Sequence, residues 1–80
     1  MNSLVLKYIL TIAEEKNMTR AAERLYISQP SLSQSVKNLE KELGVDLFER
    51  SQRGGVLTPA GEHYVEWAKQ ILFAEAMMKR

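Results

Sequence analysis

The segment that most limits what this chain can fold into lies between Ala21 and Leu43. Ala21, Ala22 and Leu25 form the apolar side of one short helical pattern. Leu32, Val36, Leu39 and Leu43, spaced 4, 3 and 4, form that of a longer one. Only Tyr26 and Ile27 separate the first pattern from Ser28, which is placed to cap the second. Pro30 falls in the following first turn, where its missing N–H is harmless, and Gly44 supplies the C-terminal stop. Two helices joined by three or four residues, the second Ser-capped, outline a helix-turn-helix. The paired alanines imply close approach by another helix.

The flanking sequence extends this outline. Val5, Ile9, Ile12 and Ala13 predict a first helix over about 4–15, with Asn17 as its left-handed stop. Thr19 reads as the N-cap of the short helix, Arg20 to about Leu25. After Gly44, the runs 47–50 and 56–57 read as short strands around Ser51-Gln52-Arg53-Gly54-Gly55, and Gly-Gly favours a hairpin turn. Thr58 caps and Pro59 opens a last helix running to the end, roughly 30 Å at ~1.5 Å per residue. The expected fold is mainly α, a winged helix-turn-helix: three helices, a short β-hairpin wing and a long C-terminal linker helix. Residues 1–58 would be the domain and 59–80 the linker.

Charge and composition narrow the function. The chain has 80 residues, with 11 Lys+Arg against 10 Asp+Glu, a net +1. That average hides two acid-free stretches, Arg24–Leu39 and Arg50–Gly61, with Glu40, Glu42, Asp46 and Glu49 crowded between them. Both stretches on one side would make a positive surface. On a helical wheel Pro30, Gln34, Lys37 and Lys41 lie opposite the leucine stripe, flanked by Ser33 and Asn38. A carboxylate there would repel phosphate, and Gln can pair two-fold with an adenine edge. A plainly solvated polar face fits the same residues. Arg50 and Arg53 bracket the glycine tip, and arginine suits a narrow electronegative groove; Arg50 paired with Glu49 or Asp46 is the competing arrangement.

Other functions find little support. Cysteine is absent and His63 is the single histidine, so no cofactor and no metal site is expected. Serines in caps, with His63 on another element, do not converge on catalysis, and Gly54-Gly55 lacks the Lys-Ser/Thr of a phosphate loop. The chain is therefore read as no enzyme. No apolar run approaches a ~18–20-residue membrane span, and the N-terminus lacks signal-peptide order, so a cytoplasmic protein is expected. A rival is a winged-helix module for protein–protein contact without DNA readout. It would carry an apolar or acidic outer face on the third helix, where this one is neutral to basic.

Ala21-Ala22-x-x-Leu25, Ser28-Gln29-Pro30-Ser31-x-Ser33, Leu39-Glu40, Leu43-Gly44, Leu47-Phe48-Glu49-Arg50 and Leu57-Thr58-x-Ala60-Gly61 together resemble the N-terminal DNA-binding domain of LysR-type transcriptional regulators. The resemblance covers nearly the whole chain in fixed order. It implies sequence-specific binding of double-stranded DNA to regulate transcription, with a recognition helix about 29–43 in the major groove. It implies base contacts by Gln29, Pro30, Ser33 and Gln34, and by Arg53 from a wing about 47–57 in the minor groove or on backbone. Thr19, Ser28, Ser31, Lys37 and Arg50 would be backbone contacts. It further implies a bacterial, nucleoid-associated protein whose inducer binds a larger domain absent from this chain. Two departures are visible: such proteins often carry Arg where Gln34 stands, and an aromatic residue near Ile9 and Met18.

The last helix has an unusually wide apolar arc. Val65, Ala68, Leu72 and Ala76 make one stripe and Tyr64, Trp67, Ile71 and Met78 a second, roughly 200° together against the ~100° one core needs. A two-fold homodimer accounts for the surplus and suits palindromic DNA, with Tyr64, Val65, Ala68, Ile71 and Leu72 as candidate interface residues. Coverage of the second stripe by a further domain is the alternative. Trp67 and Met77-Met78 read as packing groups, and His63 as a solvated surface residue.

Overall fold

A computed structural model describes residues 3–79. Its helices are α1 (Ser3–Glu15), α2 (Met18–Leu25), α3 (Gln29–Leu43) and α4 (Pro59–Met78). Leu6, Ile9 and Ile12 of α1, Ala21 and Ala22 of α2, and Leu32, Val36 and Leu39 of α3 enclose one core. Tyr64, Val65 and Ala68 of α4 complete it together with Leu47 and Phe48. Ile9, Ile12, Leu32 and Leu47 are fully buried, each stabilising the fold by about 1.5–3 kcal/mol. The alanines Ala21 and Ala22 bring no bulk, so α2 sits tightly between α1 and α3.

The predicted helix ends hold with two adjustments. Ser28 caps α3 by accepting from the Ser31 N–H at 3.2 Å, and Gly44 ends it at φ +76°. Thr58 caps α4, accepting from the Gly61 N–H at 3.0 Å while donating to the Asp46 carbonyl at 2.6 Å. The cap of α2, however, is Asn17 and not Thr19: the Asn17 Oδ1 accepts from the Arg20 N–H at 2.9 Å, and Thr19 lies inside the helix. The left-handed residue closing α1 is Lys16, at φ +54°, and not Asn17. Asparagine serves either role, and here its short acceptor is needed by the orphan amides of α2. At the far end of the α3 stripe, Leu43 is exposed, because the last turn of α3 runs past the core.

The β-hairpin wing expected over 47–57 is not formed. Among the described residues there is no strand, and the segment is a loop closed by one antiparallel bridge, Phe48 to Leu57. The Glu49 N–H donates to the Val56 carbonyl at 2.7 Å and the Thr58 N–H to the Leu47 carbonyl at 3.0 Å. No ladder propagates, for two reasons. Leu47 and Phe48 are adjacent and both buried, whereas a hairpin strand with one solvated face would alternate buried and exposed. Their N–H groups are also taken by the Glu40 carboxylate, and the Arg53 carbonyl by the Met18 N–H at 2.7 Å.

That last bond seats the loop on the α1–α2 turn. Gly55, at φ +89°, lies so close to it that a Cβ there would meet the Lys16 carbonyl carbon at 2.6 Å and the Asn17 nitrogen at 2.7 Å. Gly61 makes a similar approach, its missing Cβ leaving room for the Leu47 carbonyl oxygen. Both positions require glycine because backbone passes where a side chain would start.

Candidate nucleic-acid interface

The outer face of α3 turns to solvent. Gln29, Pro30, Ser31, Gln34, Lys37, Asn38 and Lys41 are exposed and Ser33 is half-buried. At its N-terminus the Ser28 hydroxyl donates to the Ser31 Oγ at 2.8 Å, so the two serines satisfy each other while staying at the surface. One turn on, the Gln34 Nε2 donates to the Asn38 Oδ1 at 2.8 Å. This i,i+4 pair limits the freedom of the Gln34 amide and leaves its Oε1 and a second N–H outward.

Beside this face lies an open cleft of about 790 Å³. Gln29, Ser33, Val36 and Lys37 of α3, Phe48, Arg50 and Arg53 of the loop, and Met18 are among the residues that line it, together with the acids Glu40, Asp46 and Glu49. Five of the ten residues expected to meet DNA are thus brought to one concavity. Pro30, Ser31 and Gln34 of α3 and its cap Ser28 lie outside it, and Thr19 is exposed on the first turn of α2. The loop tip is folded locally: the Gly54 N–H donates to the Ser51 Oγ at 3.0 Å, leaving Arg50, Gln52 and Arg53 exposed.

The electrostatics follow from which charges are already engaged. Among the described residues no ion pair within 4.0 Å holds Lys37, Lys41, Arg50 or Arg53, so Arg50 is paired with neither Glu49 nor Asp46. Arg24, by contrast, leaves the positive stretch read from the sequence. It bridges to Glu14 at 2.7 Å and Glu15 at 3.2 Å, clasping α2 to the end of α1. The hydrogen bond to Glu14, then that to Glu15, raises its pKa further above the guanidinium value. Of the acids between the two stretches, Glu40 spends one oxygen on backbone amides: its Oε2 accepts from Leu47 at 2.7 Å and Phe48 at 3.2 Å. Sequence reading counted Glu40 only as one of that group and missed this role. The available signal was an acid within α3, placed just ahead of a loop whose amides need an acceptor.

On α4 the five candidate interface residues divide. Tyr64, Val65 and Ala68 are buried in the chain's own core, Leu72 is half-buried against it, and Ile71 is exposed. The exposed apolar surface continues through Trp67, Phe73, Met77 and Met78. Burial raises the Tyr64 hydroxyl pKa, with a smaller push from Glu42. Among the described residues no group of three or more His, Cys, Asp or Glu is arranged to hold a metal ion, and no helix is long and apolar enough to cross a membrane.

Four helices, with a Ser-capped α3 following α2 after a three-residue turn and an arginine-bearing loop beside it, define a helix-turn-helix protein. Residues 5–62 match the model of the bacterial regulatory helix-turn-helix proteins of the lysR family, and the chain belongs to that family. It is 52% identical over 67 residues to the HTH-type transcriptional regulator BudR of Klebsiella aerogenes, covering 84% of this chain and 47% of BudR. Its fold superposes on the CbnR DNA-binding domain in complex with DNA with TM-score 0.93 at 43% identity, covering 99% of this chain and 91% of that one. A BenM DNA-binding domain bound to catB site 1 DNA gives 0.90 at 38% identity, covering 98% and 87%. The chain spans about a quarter of the length of several other curated relatives. As a member of a family of transcriptional regulators, it is not an enzyme.

Proposed function

We propose that this chain is the part of a bacterial transcriptional regulator that binds double-stranded DNA sequence-specifically, with α3 in the major groove and the 49–56 loop against the adjacent backbone or minor groove. The observation that carries this reading is the shared cleft: the carboxylate-free N-terminal half of α3 borders one concavity with Arg50 and Arg53, whose guanidinium groups are in no ion pair among the described residues. The relatives whose structures contain DNA use the same fold. Gln29, Pro30, Ser33, Gln34 and Arg53 are the base-contacting residues in this reading. Thr19, Ser28, Ser31, Lys37 and Arg50 contact backbone, where positive charge and hydroxyls position the protein without selecting sequence. Two copies joined through α4 would present two recognition helices to half-sites about 34–36 Å apart or a multiple of that. A small-molecule inducer would act through a larger domain outside this chain, in a cytoplasmic, nucleoid-associated protein.

Selection of bound sites from random duplex DNA, at a stated salt concentration, tests the reading. The expected result is a two-half-site motif whose preference at single positions relaxes in Gln29→Ala and Gln34→Ala, each costing about 1–3 kcal/mol there. Recovery of no enriched sequence rejects it. Uniform loss across all sequences in the glutamine variants removes those side chains from base readout.

A further inference from the structure

We infer that Glu40 is a positioning residue for DNA binding: its carboxylate, anchored on the Leu47 and Phe48 amides, sets where the arginine-bearing loop stands relative to α3. The inference rests on the interface reading above and concerns a residue that reading leaves out. Glu40 lies on α3 within the cleft, one turn beyond Lys37, and is half-buried. Its Oε2 accepts two backbone N–H groups, at 2.7 and 3.2 Å, from the point where the chain has turned back after Gly44. Three residues past Leu47 comes Arg50. The other side of the loop is held by the Met18 N–H on the Arg53 carbonyl at 2.7 Å. Besides the Thr58 bonds to the Asp46 and Leu47 carbonyls at its base, the loop is thus tied to α3 by Glu40 and to α2 by Met18, with both arginines between or beside these two ties.

Charge alone argues against a carboxylate here. A cleft that takes in phosphate is weakened by each negative group lining it, so neutralising Glu40 on that ground would tighten binding. The geometry points the other way. Bonds from N–H groups to a carboxylate are roughly twice as strong as neutral ones. Removing the acceptor strands two amides at buried residues, Leu47 and Phe48, and the loop can regain partners only by moving. Glutamine keeps one neutral oxygen in place and alanine keeps none, so the two substitutions form a graded series.

The test measures binding of this chain to the duplex recovered by selection, over a salt series, for Glu40→Gln and Glu40→Ala, each with and without Arg53→Ala. Amide exchange at Leu47 and Phe48 reports the anchor directly. Glu40→Gln is expected to weaken binding about threefold and Glu40→Ala about tenfold, with faster exchange at both amides. Arg53→Ala is expected to cost less in the Glu40→Ala background than in the parent, and the salt dependence to fall with it. Unchanged or tighter binding in both Glu40 variants, while Arg53→Ala alone weakens it, overturns the positioning role; so does strict additivity in the cycle. Arg53→Ala and Lys37→Ala each leaving affinity unaltered would instead overturn the interface reading, and the positioning role with it. Should Glu40→Ala fail to fold, the glutamine variant carries the same cycle.

Discussion

At the residue scale, the chemistry of this surface is decided by which charges are already spent. Arg24 and Arg53 each belong to a stretch of sequence that continues without acids, yet Arg24 is clasped by Glu14 and Glu15 and Arg53 is not paired among the described residues. Arg53→Ala should therefore lower DNA affinity and reduce the slope of log affinity against log salt by about one, as expected when one phosphate contact is lost. Arg24→Ala should leave that slope unchanged. Titration of binding over a salt series checks both, and an unchanged slope in Arg53→Ala would place its guanidinium off the DNA. Tyr64 offers a second residue-level test. Its hydroxyl pKa is raised above 10.0 in the folded chain, chiefly by burial. The folded state thus keeps its proton where the unfolded state has released it. Stability linked to Tyr64 is complete below the unfolded value and is lost as pH rises above about 10 toward the folded pKa. Denaturation midpoints from pH 8 to 11 should fall less steeply in Tyr64→Phe than in the parent.

At the scale of elements, the helices were legible because their signals are local. Ser28, Gly44 and Thr58 act within one turn of themselves, and the spacing of Leu32, Val36 and Leu39 states which side of α3 faces inward. The α2 start was misplaced since Asn17 and Thr19 are both competent caps, and only the Lys16 backbone decides between them. Asn17→Ala should cost about 0.5–2 kcal/mol in equilibrium unfolding, whereas Thr19→Ala should stay within about 0.5 kcal/mol. Equal losses would contradict the Asn17 cap. The loop was harder to read. Its residues have the composition of a hairpin, but beside the one Phe48–Leu57 bridge its backbone bonds to Glu40 and Met18, which lie outside it. The acid at position 40 is visible in the sequence, but which amides it meets is set only by how the chain turns back after Gly44.

At the scale of the whole molecule, α4 divides its apolar residues between the core and the surface. Its first half belongs to the core through Tyr64, Val65 and Ala68, while Trp67, Ile71 and Met78 remain exposed. The wide apolar arc read from the sequence was therefore two surfaces, and only the folded chain shows which residues serve which. Ile71 is the informative position, because changing it leaves the core untouched. Ile71→Glu should shift the sedimenting species toward monomer and weaken binding to a two-half-site duplex, with little change in thermal stability. A dimer that survives the change would place the interface elsewhere.

Taken alone, the order of residues determined the helices, most of their caps and the polar character of the outer α3 face, because hydrogen bonds and periodicity within one turn need no distant partner. Tertiary structure decided what two segments must meet to settle: that Arg24 is clasped and Arg53 is not, that the expected hairpin is a loop, and that Glu40 anchors it. Charges and backbone amides choose partners by proximity in space, and that proximity exists only once α3, the loop and the α1–α2 turn have packed against one another.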